Sequence, residues 1–445
     1  MEIKELIKKI FEYGKTQGLE EMEVSYDNSN SFSTKIYKQE IDSFKQAETD
    51  MLKFRAIYKG KMGNSFTEKV DEDSVEMLVN DAIENAKNIS STDEVEIFAG
   101  SKEYKEVSTY NADLDEVAQI DKINFAKKAE EIAYSLDERV SQVSAAVYGD
   151  DSGYSILANT KGLNLSKKEN IAYSYVGVVV KEGESIKSNY EFACGRDFTK
   201  FDAEKMAKKC VEDALETLGA TSMKTGSYKC IISNDVMGDL ISAFTGVFSA
   251  ENVQKDLSLM KDKLGQAVAS ECFTLIDDPF LEAGLASCSY DSEGAATTYK
   301  KVIENGVLKT YLYNLKTAKI DNVETTGNAS GQSNIAPSNF FVENGDTSLE
   351  DMMKTVENGI FITEMSGLHS GLNTVSGDFS LLSAGFEIKD GKKGRPIEQI
   401  TTSGNFLSML KEIVTVGNDI KFGLPSSSYI GSPSIRFEKI DVAGE

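Results

Sequence analysis

The chain has 445 residues, of which 72 are acidic, 48 are basic and only one is a histidine, so its formal net charge is −24. This charge repels a phosphate backbone, and because no cluster of lysine and arginine interrupts it, direct binding to nucleic acid is disfavoured. The length predicts roughly two or three domains. The apolar fraction of 40% is sufficient to bury their cores.

Cysteine usage and the N-terminal segment favour a cytoplasmic protein. The cysteines number five, are widely separated and form no Cys-x-x-Cys pair, which is typical of reduced thiols. The first residues interleave charged and apolar side chains, whereas a signal peptide needs an unbroken apolar segment. No apolar run approaches the ~20 residues that span a bilayer. We therefore expect no association with a membrane.

Hydrophobic periodicity predicts a first block of helix, strands and helix within about residues 1–90. Apolar residues at Ile3, Leu6, Ile7 and Ile10 have helical spacing, and this helix is predicted to end near Gly14 or Gly18. The block is predicted to continue with strands over 22–27, 32–37 and 54–58, a turn over 59–63, a further strand and a helix over 73–89. We expect one sheet with helices on one face.

A second block with the same order of elements is predicted over about residues 116–222. The residues 90–115 before it and 219–226 after it are predicted connectors. Its predicted elements are a helix beginning near Ile120, strands over 140–148, 154–159, 173–180 and 185–192, and a helix over 202–218. The shared order indicates related architecture, although no repeat is visible at the level of residues.

The last part of the chain, residues 223–445, is predicted to be a β-rich, barrel-like domain. Its strongest signals are hairpins at Asn305-Gly306 and Asp390-Gly391, because these residues tolerate the positive φ of a tight turn. Residues 234–263 are the exception and are predicted to be helical. The predicted fold class is thus α+β: a helix-covered N-terminal region over 1–222, followed by this C-terminal domain.

The single histidine, His369, lies in a Gly/Ser/Asn-rich stretch over 364–380 that is typical of a loop above a site. No zinc motif that needs two histidines can form in this chain. A Ser–His nucleophile with Ser366 or Ser370 is disfavoured, because closeness in sequence is not the geometry of a catalytic triad. Two interpretations stay open: a loop histidine that is exposed or satisfied by backbone hydrogen bonds, and a contact with a peptide or partner.

Three other polar segments are interpreted as structural. Carboxylates at 277–278 and at Glu251 resemble metal ligands, but a chain with 72 acidic residues contains chance clusters, and Asp277-Asp278-Pro279 is more typical of a turn. The segment 194–197 places Arg196 on a loop, where we expect an ion pair. No glycine-rich loop has the spacing of a phosphate-binding loop.

Several segments resemble the TldD/PmbA family in the right order along the chain. They are residues 21–24, 45–55, 270–279, 295–298 and 366–380. The resemblance spans essentially the full length. It implies cytoplasmic metallopeptidases or their partners, once labelled modulators of DNA gyrase.

The resemblance also implies a zinc site that this chain lacks. TldD-type members carry His-Glu-x-x-x-His on a helix and a later cysteine, which together hold zinc for a metal-bound water. The corresponding helix should fall near residues 239–251, which contain no histidine, and the cysteine position falls within 423–428, which contain no cysteine. Both departures indicate the PmbA (TldE) branch. We therefore predict no metal ligand and no catalytic residue in this chain.

Two hypotheses follow for the function. In the first, the chain is the zinc-free, non-catalytic subunit of a heterodimeric metallopeptidase, whose TldD-type partner holds the zinc and cleaves flexible or unfolded peptides. In the second, it is a stand-alone homodimeric peptide-binding protein. In both, the residues expected to contact a peptide or partner are His369, Ser370, Asn373 and Asp378, because a Gly/Ser-rich loop leaves backbone groups free for strand addition.

Overall fold

The computed structural model describes residues 2–90, 95–331 and 334–445. The helices in these ranges are α1 Ile3–Thr16, α2 Ser74–Asn88, α3 Ala112–Asp115, α4 Gln119–Leu136, α5 Ala203–Glu216, α6 Asn234–Phe244, α7 Ala250–Gln254, α8 Leu315–Asp321, α9 Leu349–Val356 and α10 Phe406–Lys411. The strands are β1 Met22–Tyr37, β2 Glu40–Tyr58, β3 Lys61–Thr67, β4 Val140–Asn159, β5 Asn164–Glu182, β6 Ser185–Gly195, β7 Gly226–Ile232, β8 Leu275–Asp277, β9 Lys300–Glu304, β10 Val307–Leu308, β11 Ala329–Ser330, β12 Asn334–Ile335, β13 Asn339–Val342, β14 Gly359–Ser366, β15 Asp378–Lys389, β16 Lys392–Asn405, β17 Ile413–Val416, β18 Lys421–Phe422, β19 Tyr429–Ser432 and β20 Ile435–Ala443.

The two N-terminal blocks build one sheet rather than one sheet each. Its six strands run in the order β3-β2-β1-β4-β5-β6, and every neighbouring pair is antiparallel. The joint is the pairing of β1 with β4, which extends from Glu23 opposite Asn159 to Ile36 opposite Ala146. The blocks predicted from periodicity are therefore halves of a single layer.

The central strands are also longer than predicted. The strands predicted over 22–27 and 32–37 are one strand, β1, and those predicted over 140–148 and 154–159 are one strand, β4. The serines, asparagines and glycine between the predicted halves have low β propensity, so they indicated a break. Pairing on both sides overrides that local preference in the middle of a sheet. Of the connector predicted over 90–115, residues 91–94 lie outside the described residues, and the rest is irregular apart from α3.

Helices cover one face of this sheet. The β1 residues Met22 and Val24 pack in a core with α1 and α2, whereas Phe32 and Ile36 pack in a core with α4 and α5. All four have even numbers and therefore lie on the same face of the strand. The odd-numbered β1 residues form the opposite face, which we call the helix-free face.

A buried carboxylate fixes the hairpin between β1 and β2. Its turn residues Lys38 and Gln39 have φ values of 52° and 64°, which cost energy for residues with a Cβ. The Glu130 carboxylate of α4 accepts hydrogen bonds from both backbone N–H groups at 2.7 Å and from the Gln39 side-chain amide at 2.9 Å. Glu130 is fully buried, so its carboxylate depends on these donors in place of water. The helix thereby holds the turn in its strained conformation.

Replacing this carboxylate is expected to weaken the fold measurably. Glu130→Ala should lower the free energy of unfolding by about 2 kcal/mol, because it removes the three hydrogen bonds that a buried carboxylate makes to the turn. The matched control is Glu131→Ala, since Glu131 is exposed on the same helix and should change stability by less than about 0.5 kcal/mol. Urea unfolding followed by circular dichroism measures both. Equal stability of the two variants would contradict the assigned role.

The C-terminal domain contains a closed barrel, as predicted. Strands β16-β15-β14-β7-β20 form the barrel, which closes through the pairing of β16 with β20. A second sheet in the order β10-β9-β8-β13-β19-β18 packs beside it. The α+β class is confirmed. The predicted hairpins at Asn305-Gly306 and Asp390-Gly391 are also confirmed, and all four turn residues have positive φ.

Helix α6 lies in the core of this domain. Its Phe244 ring stacks on the Phe406 ring of α10, with ring centroids 4.2 Å apart, and both side chains are fully buried. Of the helical segment predicted over 234–263, only α6, a short 3₁₀ turn and α7 are helical, and the remainder forms turns. Within the described part of the chain, no helix is long and apolar enough to cross a membrane.

Candidate functional site

The junction between the N-terminal sheet and the C-terminal domain, which we call the groove, brings charged and polar side chains of the two parts into contact. One wall is β6, the edge strand of the sheet, and the other is α6 with the β18–β19 hairpin that packs on it. The Lys421 ammonium of β18 donates to Asp235 Oδ2 of α6 at 3.0 Å and lies 3.8 Å from Glu191 Oε1 of β6. The two walls therefore meet through charged side chains.

The carboxyl groups of this groove are partly stripped of water. Burial raises the pKa of Glu191, while Lys421 and Lys209 oppose the shift. The pKa of Asp239 is also raised, first by loss of hydration and then by the nearby Asp235 carboxylate. Asp239 nevertheless keeps contact with solvent. Accessible carboxyl groups with perturbed pKa values are typical of functional sites, although structural ion-pair networks produce them too.

A thiol on one wall of the groove contacts a phenol on the other wall, next to this ion pair. Cys194 of β6 and Tyr429 of β19 form a hydrogen bond, and burial is the main reason that the pKa values of both groups are raised. The Tyr429 ring also stacks on Phe422, with ring centroids 4.5 Å apart. A protonated, half-buried thiol of this kind is a poor nucleophile.

Arg196 fixes the two walls at one end of the groove. Its guanidinium donates to the backbone carbonyl of Asn170 in the sheet at 3.1 Å, and to those of Gly284 and Leu285 in the C-terminal domain at 3.0 and 3.3 Å. The ion pair predicted for Arg196 is thus wrong, and carbonyl oxygens take the place of a carboxylate. The planar fork of five donors suits such a multiple contact. Burial lowers the pKa of this guanidinium.

Asp277 is a structural residue of the second sheet. Its carboxylate is fully buried at the end of β8, where it accepts from Lys300 Nζ at 2.8 Å, Asn328 Nδ2 at 2.7 Å and the Ser338 backbone at 2.8 Å. The predicted turn is found only at Asp278, whose carboxylate accepts from the backbone of Phe280. Among the residues that the structure describes, no group of three or more His, Cys, Asp and Glu side chains is placed to hold a metal ion.

The positions that the resemblance assigns to zinc ligands lie side by side. Residues 239–251 run from α6 into α7, and residues 423–428 connect β18 to β19, which packs against α6. The polar side chains with solvent access at the α6 end of this segment are Asp239, Ser242 and Thr245. One carboxylate and hydroxyl groups, with the Lys421 ammonium close by, are not a donor set that holds zinc. This chain's residues do not fit the metal.

The four residues predicted to contact a peptide or partner share one exposed loop between β14 and β15. Asn373 and Asp378 shape it: Asn373 Oδ1 accepts from the backbone of residues 375 and 376, and Asp378 Oδ1 accepts from Asn405 Nδ2 at 2.9 Å. The Asn405 bond is the main cause of the lowered pKa of Asp378. His369 and Ser370 lie at the exposed tip, where the Ser370 hydroxyl donates to the backbone carbonyl of Gly367 at 3.5 Å.

This loop and the charged groove lie toward opposite ends of α6. The backbone N–H of Phe406 donates to the carbonyl of Gly377 at 2.8 Å, and the Phe406 ring stacks on Phe244 at the C-terminal end of the helix. Asp235 and its partner Lys421 lie at the N-terminal end. An 11-residue helix is about 16 Å long, so the loop tip and the ion pair do not form one constellation.

Sequence reasoning singled out Arg196 but did not predict that the groove residues come together. Glu191 and Cys194 lie on β6 and Arg196 directly follows it, while Lys421 and Tyr429 are more than two hundred residues later in the chain. Only the packing of the sheet edge against α6 and β19 brings them together. No motif spacing could have indicated this contact.

Domain models of one family match most of the chain. The model described as "PmbA/TldA metallopeptidase domain 1" matches residues 22–86, the central-domain model matches 112–218, and the C-terminal-domain model matches 225–444. The chain therefore belongs to the PmbA/TldD metallopeptidase family.

Individual relatives cover almost the whole chain. A crystal structure from Thermotoga maritima, described as that of a candidate modulator of a DNA gyrase, is 33% identical, with a TM-score of 0.92 and coverage of 99% of this chain and 100% of that one. A metalloprotease PmbA homolog of Haemophilus influenzae is 28% identical over 432 residues, which are 95% of this chain and 92% of the relative. TldE from Thermococcus kodakarensis is 23% identical, with a TM-score of 0.89 and coverage of 99% of this chain and 100% of that one, and shows the common fold.

Replacing the guanidinium that joins the two walls is expected to loosen the groove. Arg196→Lys should lower the free energy of unfolding by about 2 kcal/mol, because an ammonium cannot reach three separate carbonyls and leaves some without a donor. It should also speed amide exchange in residues 281–286, which hydrogen-exchange mass spectrometry measures.

The control is Arg139→Lys, since Arg139 is a surface residue that pairs with its neighbour Asp137. This variant should exchange and unfold like the unmodified protein, as expected for an exposed ion pair. If Arg196→Lys behaved in the same way, Arg196 would not be the residue that holds the sheet and the C-terminal domain together.

Proposed function

We propose that this chain is the non-catalytic, zinc-free subunit of a heterodimeric, cytoplasmic metallopeptidase, which acts on flexible or unfolded peptides with a TldD-type partner. The observation that carries the proposal is a contrast: the chain keeps the family fold, but the side chains at the positions assigned to zinc ligands do not suit zinc. The three family domains are present, yet the helix and hairpin that hold zinc in TldD-type members offer Asp239 and hydroxyl groups.

The charges of the groove also support a zinc-free subunit with a partner that holds the metal. A metal site needs an open position with neutral imidazole or anionic ligands around it. Here the Lys421 ammonium lies between Asp235 and Glu191, so a cation approaching this position meets a fixed positive charge. These residues hold the walls of the groove together. In the proposed heterodimer they would thereby shape the chamber that the two subunits share.

The exposed loop supports a role in contact rather than in chemistry. His369 and Ser370 are solvent-exposed at its tip, and the bonds of Asn373 and Asp378 keep the loop folded. An exposed histidine without a base or an orienting carboxylate beside it lacks the constellation for acyl transfer. Such a preorganised tip can instead contact the partner subunit or a peptide with little loss of conformational entropy.

Reconstitution with a catalytic homologue tests the proposal. The purified chain alone should leave a flexible fluorogenic peptide intact, whereas an equimolar mixture with its cognate TldD-type protein should cleave it and lose activity upon addition of a chelator. Analytical ultracentrifugation of the same mixture should show a heterodimer at micromolar concentration.

Other outcomes would contradict the proposal. Chelator-sensitive cleavage by the chain alone, abolished by His369→Ala, would assign catalysis to this chain. A stable homodimer that fails to associate with the homologue but binds the peptide would support the stand-alone binding protein.

A further inference from the structure

The helix-free face of the N-terminal sheet has an unusual composition. The strand registers place its side chains in rows, so that Ser33 of β1 lies between Lys45 of β2 and Gly149 of β4. The next two rows have the same character. They are Ala47, Ser31 and Asp151, followed by Thr49, Ser29 and Gly153.

Serine and glycine are poor choices for the middle of a sheet. They lack the β-branched or aromatic side chains that pack on a pleated surface, and glycine loses the most backbone entropy. An antiparallel sheet with one solvated face ordinarily presents threonine and charged residues there. The small side chains of Ser29, Ser31 and Ser33 instead leave a flat, shallow floor of hydroxyl groups along β1.

Tyrosines on β5 and β6 form one wall above this floor. The Tyr173 ring lies on Gly149, where a Cβ would come within 2.4 Å of the ring carbon Cζ, so this position has room only for glycine. Tyr175 and Tyr190 lie on the same face and are 36% and 68% exposed. Large, rigid phenol rings therefore stand beside a floor of small residues.

The floor leads into the groove described above. The row that holds Ser33, Gly149 and Tyr173 ends at Cys194, whose thiol bonds to Tyr429 of the opposite wall. The floor thus ends at the groove.

Surfaces built from tyrosine, serine and glycine bind polypeptides. Antibody combining sites use this composition, because tyrosine supplies contact area at a low cost in entropy and small hydroxyl residues supply adaptable hydrogen bonds. Charges on the floor are mixed, with Lys45 near Asp151, so no single charge on a ligand is selected. The chemistry matches an extended peptide of unrestricted sequence.

We propose that the helix-free face, from Ser29 to Tyr190, is a sequence-tolerant platform that holds an extended peptide beside the groove. The inference rests on the proposed function, since it names the surface on which this subunit would hold the flexible substrate. The hydroxyl floor bonds the peptide backbone, and Tyr175 and Tyr190 pack against its side chains.

Fluorescence anisotropy with the isolated full-length chain tests the platform. The probes are a fluorescein-labelled, unstructured peptide of mixed composition and a scrambled version of it, which should bind with equal affinity. The double variant Tyr175→Ser/Tyr190→Ser should bind both peptides about tenfold more weakly. Tyrosines that become buried when a polypeptide binds contribute a large share of the binding free energy. The control Tyr299→Ser removes an exposed tyrosine of the C-terminal domain and should leave the affinity unchanged.

A second variant blocks the floor without removing a tyrosine. Ser31→Arg should weaken binding to a similar extent by filling the shallow surface, whereas Ser135→Arg on the exposed side of α4 should not. Absence of binding to the unmodified chain, a strong preference for one of the two peptides, or full affinity in the platform variants would each overturn the proposal. Because no partner is present, failure of the reconstituted peptidase would contradict the proposed function while leaving this result intact.

Discussion

The pairing of β1 with β4 is the constraint on which the rest of the molecule depends. Fourteen consecutive residue pairs join the two N-terminal halves, and the register places Met22, Val24, Phe32 and Ile36 on one face. A shift by one residue would turn these apolar side chains away from the helices. The same register fixes the opposite face and leaves β6 as the free edge that meets the C-terminal domain.

Polar side chains join the sheet edge to the C-terminal domain. Arg196 binds three carbonyls, Lys421 lies between two carboxylates, and Cys194 bonds to Tyr429. Such contacts have directional geometry, so they fix the distance between the walls more firmly than apolar packing alone would. These bonds lie next to the positions that the family resemblance assigns to zinc ligands, which agrees with the proposal that this chain contributes shape to a shared chamber.

Local signals in the sequence predicted many of the elements but not their partners. Helical spacing in residues 3–10 predicted α1, and Asn305-Gly306 predicted its hairpin, because both depend on neighbours in sequence. The union of the two blocks, the carbonyl contacts of Arg196 and the buried role of Asp277 depend on residues far along the chain, for which periodicity carries no information. The loop of His369 was predicted from composition, whereas the internal bonds of Asn373 and Asp378 emerged only from its folded shape.

The location of the metal in a reconstituted complex tests the central claim most directly. Zinc content and chelator-sensitive cleavage would be measured for two complexes: one in which the TldD-type partner carries alanine at its zinc ligands, and one in which this chain carries His369→Ala. The account predicts that zinc and cleavage are lost in the first complex and retained in the second. Zinc and cleavage that persist in the first complex, or are lost from an intact second complex, would contradict it.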